Sequence, residues 1–102
     1  CFDDPEVAAI KDNAIKQCAK FNSIDPTDYD KREECLKKIL GSMGEDVCIV
    51  TNFNCDNGKN IHIGSHFLAN YNFTVLDMVD VHIGDNVMIG PNVLITTVGH
   101  TL

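Results

Sequence analysis

A six-residue repetition of branched apolar residues near the C-terminal end constrains the fold of this chain most strongly. Isoleucine recurs at Ile83, Ile89 and Ile95, and valine follows four residues later at Val87 and Val93. Six matches neither the 3.6-residue period of an α-helix nor the two-residue period of a strand. Repeats of this length are typical of a parallel β-helix, in which each unit is a short strand and a corner. Three units close one coil, and equivalent side chains of successive coils stack inside it.

The same spacing occurs earlier in the chain, in a frame shifted by two residues. Its first positions are Ile63, Ala69, Val75 and Val81, and its second positions are Phe67, Phe73 and Val79. The similar segments 60–64 and 80–84 start 20 residues apart. This spacing predicts 18-residue coils, one of which carries a two-residue insertion. The alternative is a β-sandwich of short strands, which would not need a six-residue register.

The segment 4–43 has a helical period instead. Asp4 suits an N-cap and Pro5 the first position of a helix. The apolar stripe of that helix is Val7, Ile10, Ala14, Cys18 and Phe21. Thr27 and Asp30 resemble a capping box for a second helix. Its stripe is Tyr29, Leu36, Ile39, Leu40 and Met43, and Gly41 and Gly44 stop it. We therefore predict a helical hairpin, which is too small to be stable without the repeats.

Composition excludes several classes of function. The chain has 102 residues and a net charge of −7. Its basic residues concentrate only at 31–32 and 37–38, among acidic residues, so a nucleic-acid partner is not expected. We expect no signal peptide and no membrane-spanning segment, because the required apolar runs are missing. The five cysteines form no CxxC pair, which favours reduced thiols and a cytoplasmic location.

Several short motifs occur in an order that is similar to one protein family. They are Asp4-Pro5-Glu6, Phe53-Asn54-Cys55-Asp56-Asn57-Gly58, Asn60-Ile61-His62-Ile63-Gly64, Ala69-Asn70-Tyr71-Asn72, Leu76-Asp77, Ile83-Gly84-Asp85-Asn86-Val87, Gly90-Pro91-Asn92-Val93 and Gly99-His100. Together they resemble the N-terminal half of the maltose/galactoside O-acetyltransferases, which are hexapeptide-repeat acyltransferases. The resemblance runs through the whole chain.

The resemblance implies a mainly β fold, a left-handed parallel β-helix preceded by an N-terminal α-helical hairpin. It divides the chain into a hairpin at 1–45 that caps the acceptor side and a truncated β-helix at 46–102. It also implies a homotrimer with active sites between subunits. The implied reaction moves an acetyl group from acetyl-CoA, the cosubstrate, to a hydroxyl of a maltose-, glucose- or galactoside-type sugar. The residues that contact acetyl-CoA are expected beyond Leu102.

The resemblance also assigns roles to individual residues. His100 is the expected general base, because a sugar hydroxyl is a weak nucleophile until a group such as imidazole takes its proton. Asn70, Asp77, Asp56 and Asp4 match family positions that bind the acceptor. Two of these have simpler explanations, since Asp4 suits an N-cap and Asp56 precedes the turn-forming Asn57-Gly58.

Two other functions remain open from the sequence. The first is a metalloenzyme of the γ-carbonic anhydrase type, with zinc held by histidines such as His62, His66, His82 and His100. His62 and His82 alternate with inward-facing apolar residues, so we expect them to point outward and predict no metal. The second is a non-catalytic β-helix scaffold.

Overall fold

The structure is a computed structural model that describes residues 5–97. Two helices precede the strands of the described chain, α1 at Pro5–Ser23 and α2 at Tyr29–Ile39. The strands are β1 (Ser42–Met43), β2 (Val47–Ile49), β3 (Phe53–Cys55), β4 (Ile61–Ile63), β5 (Phe67–Ala69), β6 (Phe73–Leu76), β7 (Val81–Ile83), β8 (Met88–Ile89) and β9 (Leu94–Thr96).

The second helix begins and ends differently from the sequence prediction. Its N-cap is Asp28, whose Oδ1 accepts a hydrogen bond from the Lys31 backbone N–H at 3.2 Å. Thr27 does not cap α2 but donates its backbone N–H and its hydroxyl to Asp25. The helix ends at Ile39, because Leu40 adopts an extended conformation. Met43 therefore lies in β1, where it pairs with β4.

The strands form three parallel sheets, ordered β1-β4-β7, β2-β5-β8 and β3-β6-β9. Every pair joins a strand to the third strand after it, as the coils of a β-helix require. A β-sandwich is excluded for the described chain, because all of its strand pairs are parallel. The predicted inward side chains of the first coils, such as Phe67, Ala69, Phe73 and Val75, are buried.

Both described turns of the β-helix contain 20 residues. Ser42 pairs with His62, and His62 in turn with His82. The repeat pattern predicted a two-residue insertion in one coil only. That prediction is wrong, because both described coils contain the insertion. The extra residues lie in segments 56–60 and 77–80, which connect the third sheet back to the first. We call these two segments the extended corners. They explain why Val79 is 60% exposed, although its repeat position predicted burial.

The other corners use left-handed backbone conformations at polar residues. Asp46, His66 and Asn86 follow one another at 20-residue intervals with φ of 56°, 58° and 60°. Asn72 and Asn92 form a second such column, with φ of 60° and 59°, and the Nδ2 of Asn72 donates to the Oδ1 of Asn92 at 2.9 Å. Asn, Asp and His are the non-glycine residues that adopt this conformation most readily. The corners are therefore encoded locally in the sequence.

The helices and the coils share one apolar core. Phe21 of α1 contacts Phe53 of β3 edge to face, with ring centroids 6.1 Å apart, and Phe53 stacks on Phe73 at 6.0 Å. Arg32 of α2 lies over the Phe21 ring, and its Nη2 donates to the Ile49 carbonyl at 2.8 Å. These contacts fix α1 against the third sheet. Neither described helix is apolar enough over a sufficient length to cross a membrane.

Candidate functional site

A cavity of about 160 Å³ lies between α1 and the extended corners. The helix contributes Val7, Ile10 and Lys11, and the corners contribute Asp56, Asp77 and Met78. The sequence motifs predict roles for Asp56 and Asp77, and the structure brings these two residues together. The motifs predict no role for Lys11, which comes directly after Ile10 of the apolar stripe. The cavity combines apolar walls with a few polar groups, as small-molecule sites generally do.

The Asp77 carboxylate is fully buried and holds the neighbouring extended corner in place. Its Oδ1 accepts from the backbone N–H groups of Asp56 at 3.2 Å and Asn57 at 2.9 Å. Its Oδ2 accepts from the N–H groups of Gly58 at 2.7 Å and Asn60 at 3.3 Å. Several N–H donors aimed at one carboxylate stabilise its charge away from water. Asp77 is therefore placed to position Asp56 and its neighbours.

Gly58 is the residue of this corner that cannot be replaced freely. Its φ of +91° is a conformation that residues with a side chain rarely adopt, and a Cβ here would lie 2.6 Å from the Ile39 carbonyl oxygen. The end of α2 thus packs directly on the extended corner. The Asn57-Gly58 pair, which the sequence marks as a turn, also fixes how the helices sit on the coils.

Asp56 presents its side chain to the cavity while its backbone is held by Asp77. Its side chain is mostly buried, and its Oδ1 lies 3.6 Å from the Nζ of Lys11. This ion pair joins the extended corner to α1. A carboxylate and an ammonium group side by side can accept from and donate to the hydroxyl groups of a ligand.

Asn70 lies at a different corner of the β-helix from Asp56 and Asp77. It directly follows β5, at the corner between the second and third sheets, whereas the extended corners join the third sheet to the first. Its Oδ1 accepts from the Tyr71 N–H at 2.8 Å, and its backbone N–H donates to the Ile89 carbonyl. The structure therefore does not bring the predicted acceptor residues of this one chain into a single pocket.

The predictions for His100 and Asp4 fall outside the described residues and stay predictions. The described chain ends at Thr97, three residues before His100. The Thr97 hydroxyl donates to the Leu76 carbonyl at 2.8 Å and accepts from the Met78 N–H at 3.0 Å. The chain thus reaches the extended corner that carries Asp77 shortly before the sequence arrives at Gly99-His100.

Two cysteines are in contact between α1 and β3. The Sγ atoms of Cys18 and Cys55 are 3.5 Å apart, and both residues are buried and free of disulfides. The hydrogen bond between the two thiols lowers the pKa of Cys18. The same bond, together with burial, raises the pKa of Cys55. Cys35 and Cys48 are also free thiols.

The histidines proposed for a zinc enzyme only partly come together. His62 and His82 stack on the outside of the first sheet, with ring centroids 4.7 Å apart. His66 lies at another corner, where its Nδ1 is 3.2 Å from the Asp46 Oδ2. The predicted outward direction of His62 and His82 is confirmed, since the neighbouring Ile61 and Ile63 are buried while His82 is exposed.

Comparisons with known proteins agree with this architecture. Residues 1–44 match the family model of the maltose acetyltransferase hexapeptide capping motif. The galactoside O-acetyltransferase of Escherichia coli is 41% identical over 81 residues, which cover 79% of this chain and 40% of that protein. The crystal structure of a maltose O-acetyltransferase from Clostridium difficile 630 superposes with a TM-score of 0.91 at 38% identity, over 97% of this chain and 53% of the other. A galactoside acetyltransferase in complex with coenzyme A gives a TM-score of 0.91 at 32% identity, over 100% of this chain and 51% of the other.

This chain belongs to the maltose/galactoside O-acetyltransferase family. The predicted left-handed β-helix with an N-terminal helical part is confirmed by the parallel coils and these neighbours. The chain spans about half the length of the curated relatives it matches. What the described residues contribute to this family fold is the capping helices, the first coils and the cavity between them.

Proposed function

We propose that the protein containing this chain transfers an acetyl group from acetyl-CoA to a hydroxyl of a maltose-, glucose- or galactoside-type sugar. The observation that carries the proposal is the cavity between α1 and the extended corners, in a chain of this family. Asp56 and Lys11 supply polar groups for sugar hydroxyls. Val7 and Ile10 supply apolar surface for the carbon face of the ring.

In this proposal the N-terminal segment 1–45 is an acceptor-side cap on the β-helix of residues 46–102. Three cavity residues come from α1, so removing the helix would open one wall of the pocket. β1 precedes the proposed boundary and already pairs with β4. The cap and the coils are therefore joined by strand pairing as well as by the packing of Phe21 on Phe53. Asp4 would lie at the start of this cap, beside the acceptor.

The proposed chemical step needs one base. His100 takes the proton of the acceptor hydroxyl while the oxygen attacks the thioester carbon, and the carbon–sulfur bond then breaks. The proton passes from the imidazole to the leaving thiolate of coenzyme A, so charge and atoms balance. Support for this role comes from the Gly99-His100 motif and from Thr97, which fixes β9 to the corner beside Met78.

Acetyl-CoA is the proposed cosubstrate. One solved relative, the galactoside acetyltransferase, is in complex with coenzyme A, and this chain covers only 51% of that structure. The residues that bind the cofactor are therefore proposed to lie beyond Leu102, on further coils. In this proposal the described residues form the acceptor pocket, and the coils beyond Leu102 bind acetyl-CoA.

A homotrimer completes the proposed site. Asn70 and the Asp56–Asp77 pair lie at different corners of one chain, so a pocket that uses both needs Asn70 from a neighbouring copy. The coils expose large apolar side chains, including Met88 at 77% and Leu94 at 60%. Met88 lies on the second sheet and Leu94 on the third, and exposed apolar side chains on such faces are candidates for contact with a neighbouring copy. The reduced state of the four described free cysteines supports a cytoplasmic location for the assembly.

The proposal is tested with the full-length protein, acetyl-CoA and a panel of maltose, glucose and galactosides. Released coenzyme A is followed with a thiol reagent, and the acetylated sugar is identified by mass spectrometry. We expect turnover that depends on both substrates. Saturable coenzyme A binding without transfer to any sugar hydroxyl would contradict the proposal and favour a scaffold. Hydration of CO₂ in place of transfer would favour the γ-carbonic anhydrase type.

A further inference from the structure

The outer face of the first sheet carries one column of polar side chains. Ser42 of β1 pairs with His62 of β4, and His62 pairs with His82 of β7. These three residues therefore occupy the same register position in successive coils, and all three face outward. Asp80, the last residue of an extended corner, lies beside them, with its Oδ1 3.5 Å from the His62 Nε2.

We propose that His62, Asp80 and His82 form a binding site for a divalent transition-metal ion of the zinc class. One ligand atom from each residue lies within 4.8 Å of the others. Two imidazoles and a carboxylate are a donor set that Zn²⁺ and its first-row neighbours accept. A water molecule would complete four-coordination. The sequence led us to expect no metal, because spacing alone did not reveal that Asp80 converges on the two histidines.

The three ligand atoms must move closer together to reach coordination geometry. Tetrahedral zinc with bonds of about 2.0–2.1 Å places its ligand atoms about 3.3 Å apart. The observed spread of up to 4.8 Å must therefore shrink. The Asp80 side chain is 63% exposed and His82 is exposed, so both can rotate without disturbing the core. Parallel stacking of the two rings must be given up for both to face the ion.

His62 is already held in a suitable orientation. Its Nδ1 lies 2.8 Å from the Ser42 Oγ. When Nδ1–H donates to that hydroxyl, the lone pair of Nε2 points towards Asp80. Metal-binding histidines generally have such a second hydrogen bond, which fixes the ring and its tautomer. Gly41 leaves the room that the ring needs, because a Cβ at this position would lie 2.8 Å from the His62 Cε1.

A bound ion would add a cross-link between elements that already meet through backbone hydrogen bonds and through the stacked His62 and His82 rings. It would join β4 to β7 and both strands to the extended corner 77–80. The same corner begins with Asp77, which holds the loop that lines the candidate pocket. Ion binding to the folded chain alone raises its stability by mass action. The site does not depend on the proposed acetyl transfer.

The experiment titrates metal-free full-length protein with Zn²⁺ by calorimetry and follows the melting temperature. We expect one equivalent per chain and a rise in melting temperature. His82→Ala and Asp80→Ala should abolish saturable binding, and Ser42→Ala should weaken it roughly 10-fold, as loss of a supporting hydrogen bond does. His66→Ala is the matched control, because His66 is an exposed histidine at another corner, and it should bind like the wild type.

Co²⁺ serves as a spectroscopic probe that identifies the ligands. We expect visible d–d bands without the thiolate charge-transfer band that cysteine ligation produces. A strong thiolate band would overturn the proposal, because the ion would then occupy a cysteine site. Zn²⁺ binding that is unchanged in His82→Ala would overturn it as well, as would no saturable binding by the wild type. Circular dichroism confirms that each variant is folded.

Discussion

The Oδ2 of Asp77 accepts a 2.7 Å hydrogen bond from the backbone N–H of Gly58, 19 residues earlier in the chain. This contact joins one extended corner to the equivalent corner of the preceding coil. It lies behind the candidate pocket, in a position where both the carboxylate and the glycine are buried. The shape of the pocket wall therefore depends on a charged group that is fully shielded from solvent.

Asp77→Asn should destabilise the protein by about 3 kcal/mol, because an amide cannot satisfy all the N–H donors that the carboxylate accepts. In asparagine an NH₂ group replaces one of the two carboxylate oxygens, and this group would face backbone N–H donors without being able to accept from them. Chemical denaturation measures the loss. Asp12→Asn, an exposed position on α1, is the matched control and should change stability by less than about 0.5 kcal/mol. Equal stability of the two variants would show that Asp77 does not hold the corner.

Asp56→Asn should act on acceptor binding more than on stability. Its side chain meets Lys11 at the cavity rather than the core, and the corner remains held by Asp77. We expect the acceptor KM to rise roughly 10-fold, the loss of one hydrogen bond to a charged group, with a smaller change in kcat. Lys16→Gln is the matched control, because Lys16 lies on α1 like Lys11 but is exposed, and it should leave both KM and kcat unchanged. A lower melting temperature with an unaltered KM would argue for a purely structural Asp56.

The proposed trimer predicts that inactive variants complement one another. Asn70→Ala and His100→Ala chains should each have low activity, the former through the acceptor KM. When they are co-expressed, about a quarter of the intersubunit sites regain both residues if the chains mix at random. Activity per chain should therefore exceed that of either variant alone. Activity no higher than the mean of the two separate variants would show that the site lies within one chain.

The same assembly can be tested through its surface. Leu94→Glu combined with Met88→Glu places charge on exposed apolar positions of the second and third sheets and should shift the mass in light scattering from trimer to monomer. Ile15→Glu is the control, because Ile15 is 56% exposed but lies on α1. A wild-type protein that is monomeric at micromolar concentration would contradict the trimer directly.

The cysteines should be reduced in the native protein. Mass spectrometry of protein isolated without reductant should find Cys18, Cys35, Cys48 and Cys55 as free thiols. Cys18 and Cys55 are the pair most prone to oxidation, because their sulfur atoms are 3.5 Å apart. Two stable disulfides in freshly isolated protein would overturn the cytoplasmic proposal.

The repeat architecture could be predicted from the sequence because it is encoded locally. Ile89 and Ile95 mark the inward positions, and corner residues such as Asn72 and Asn92 tolerate left-handed backbone. The extended corners were harder to locate. A two-residue insertion in a coil changes the spacing of the repeats. This spacing does not predict that the Asp77 side chain is buried and that the Val79 side chain is exposed.

The candidate site shows a similar limit. Asp56 and Asp77 were found through family motifs, and their proximity follows from 20-residue coils. Lys11 was not found, since its role depends on how α1 lies across the corner. The predicted N-cap of α2 was also wrong, because Asp28 rather than Thr27 accepts a hydrogen bond from the backbone N–H of Lys31. Contacts between distant segments decide these features, and a linear pattern does not contain them.

The most direct test of the account is the turnover of full-length His100→Ala with acetyl-CoA and the best sugar acceptor. If His100 is the general base, kcat should fall by roughly 10²–10⁴, with little change in acetyl-CoA affinity. The wild-type kcat/KM should rise with pH through the range in which imidazole loses its proton, and the variant should lack that rise. Wild-type turnover by His100→Ala on this acceptor would contradict the account at its central residue.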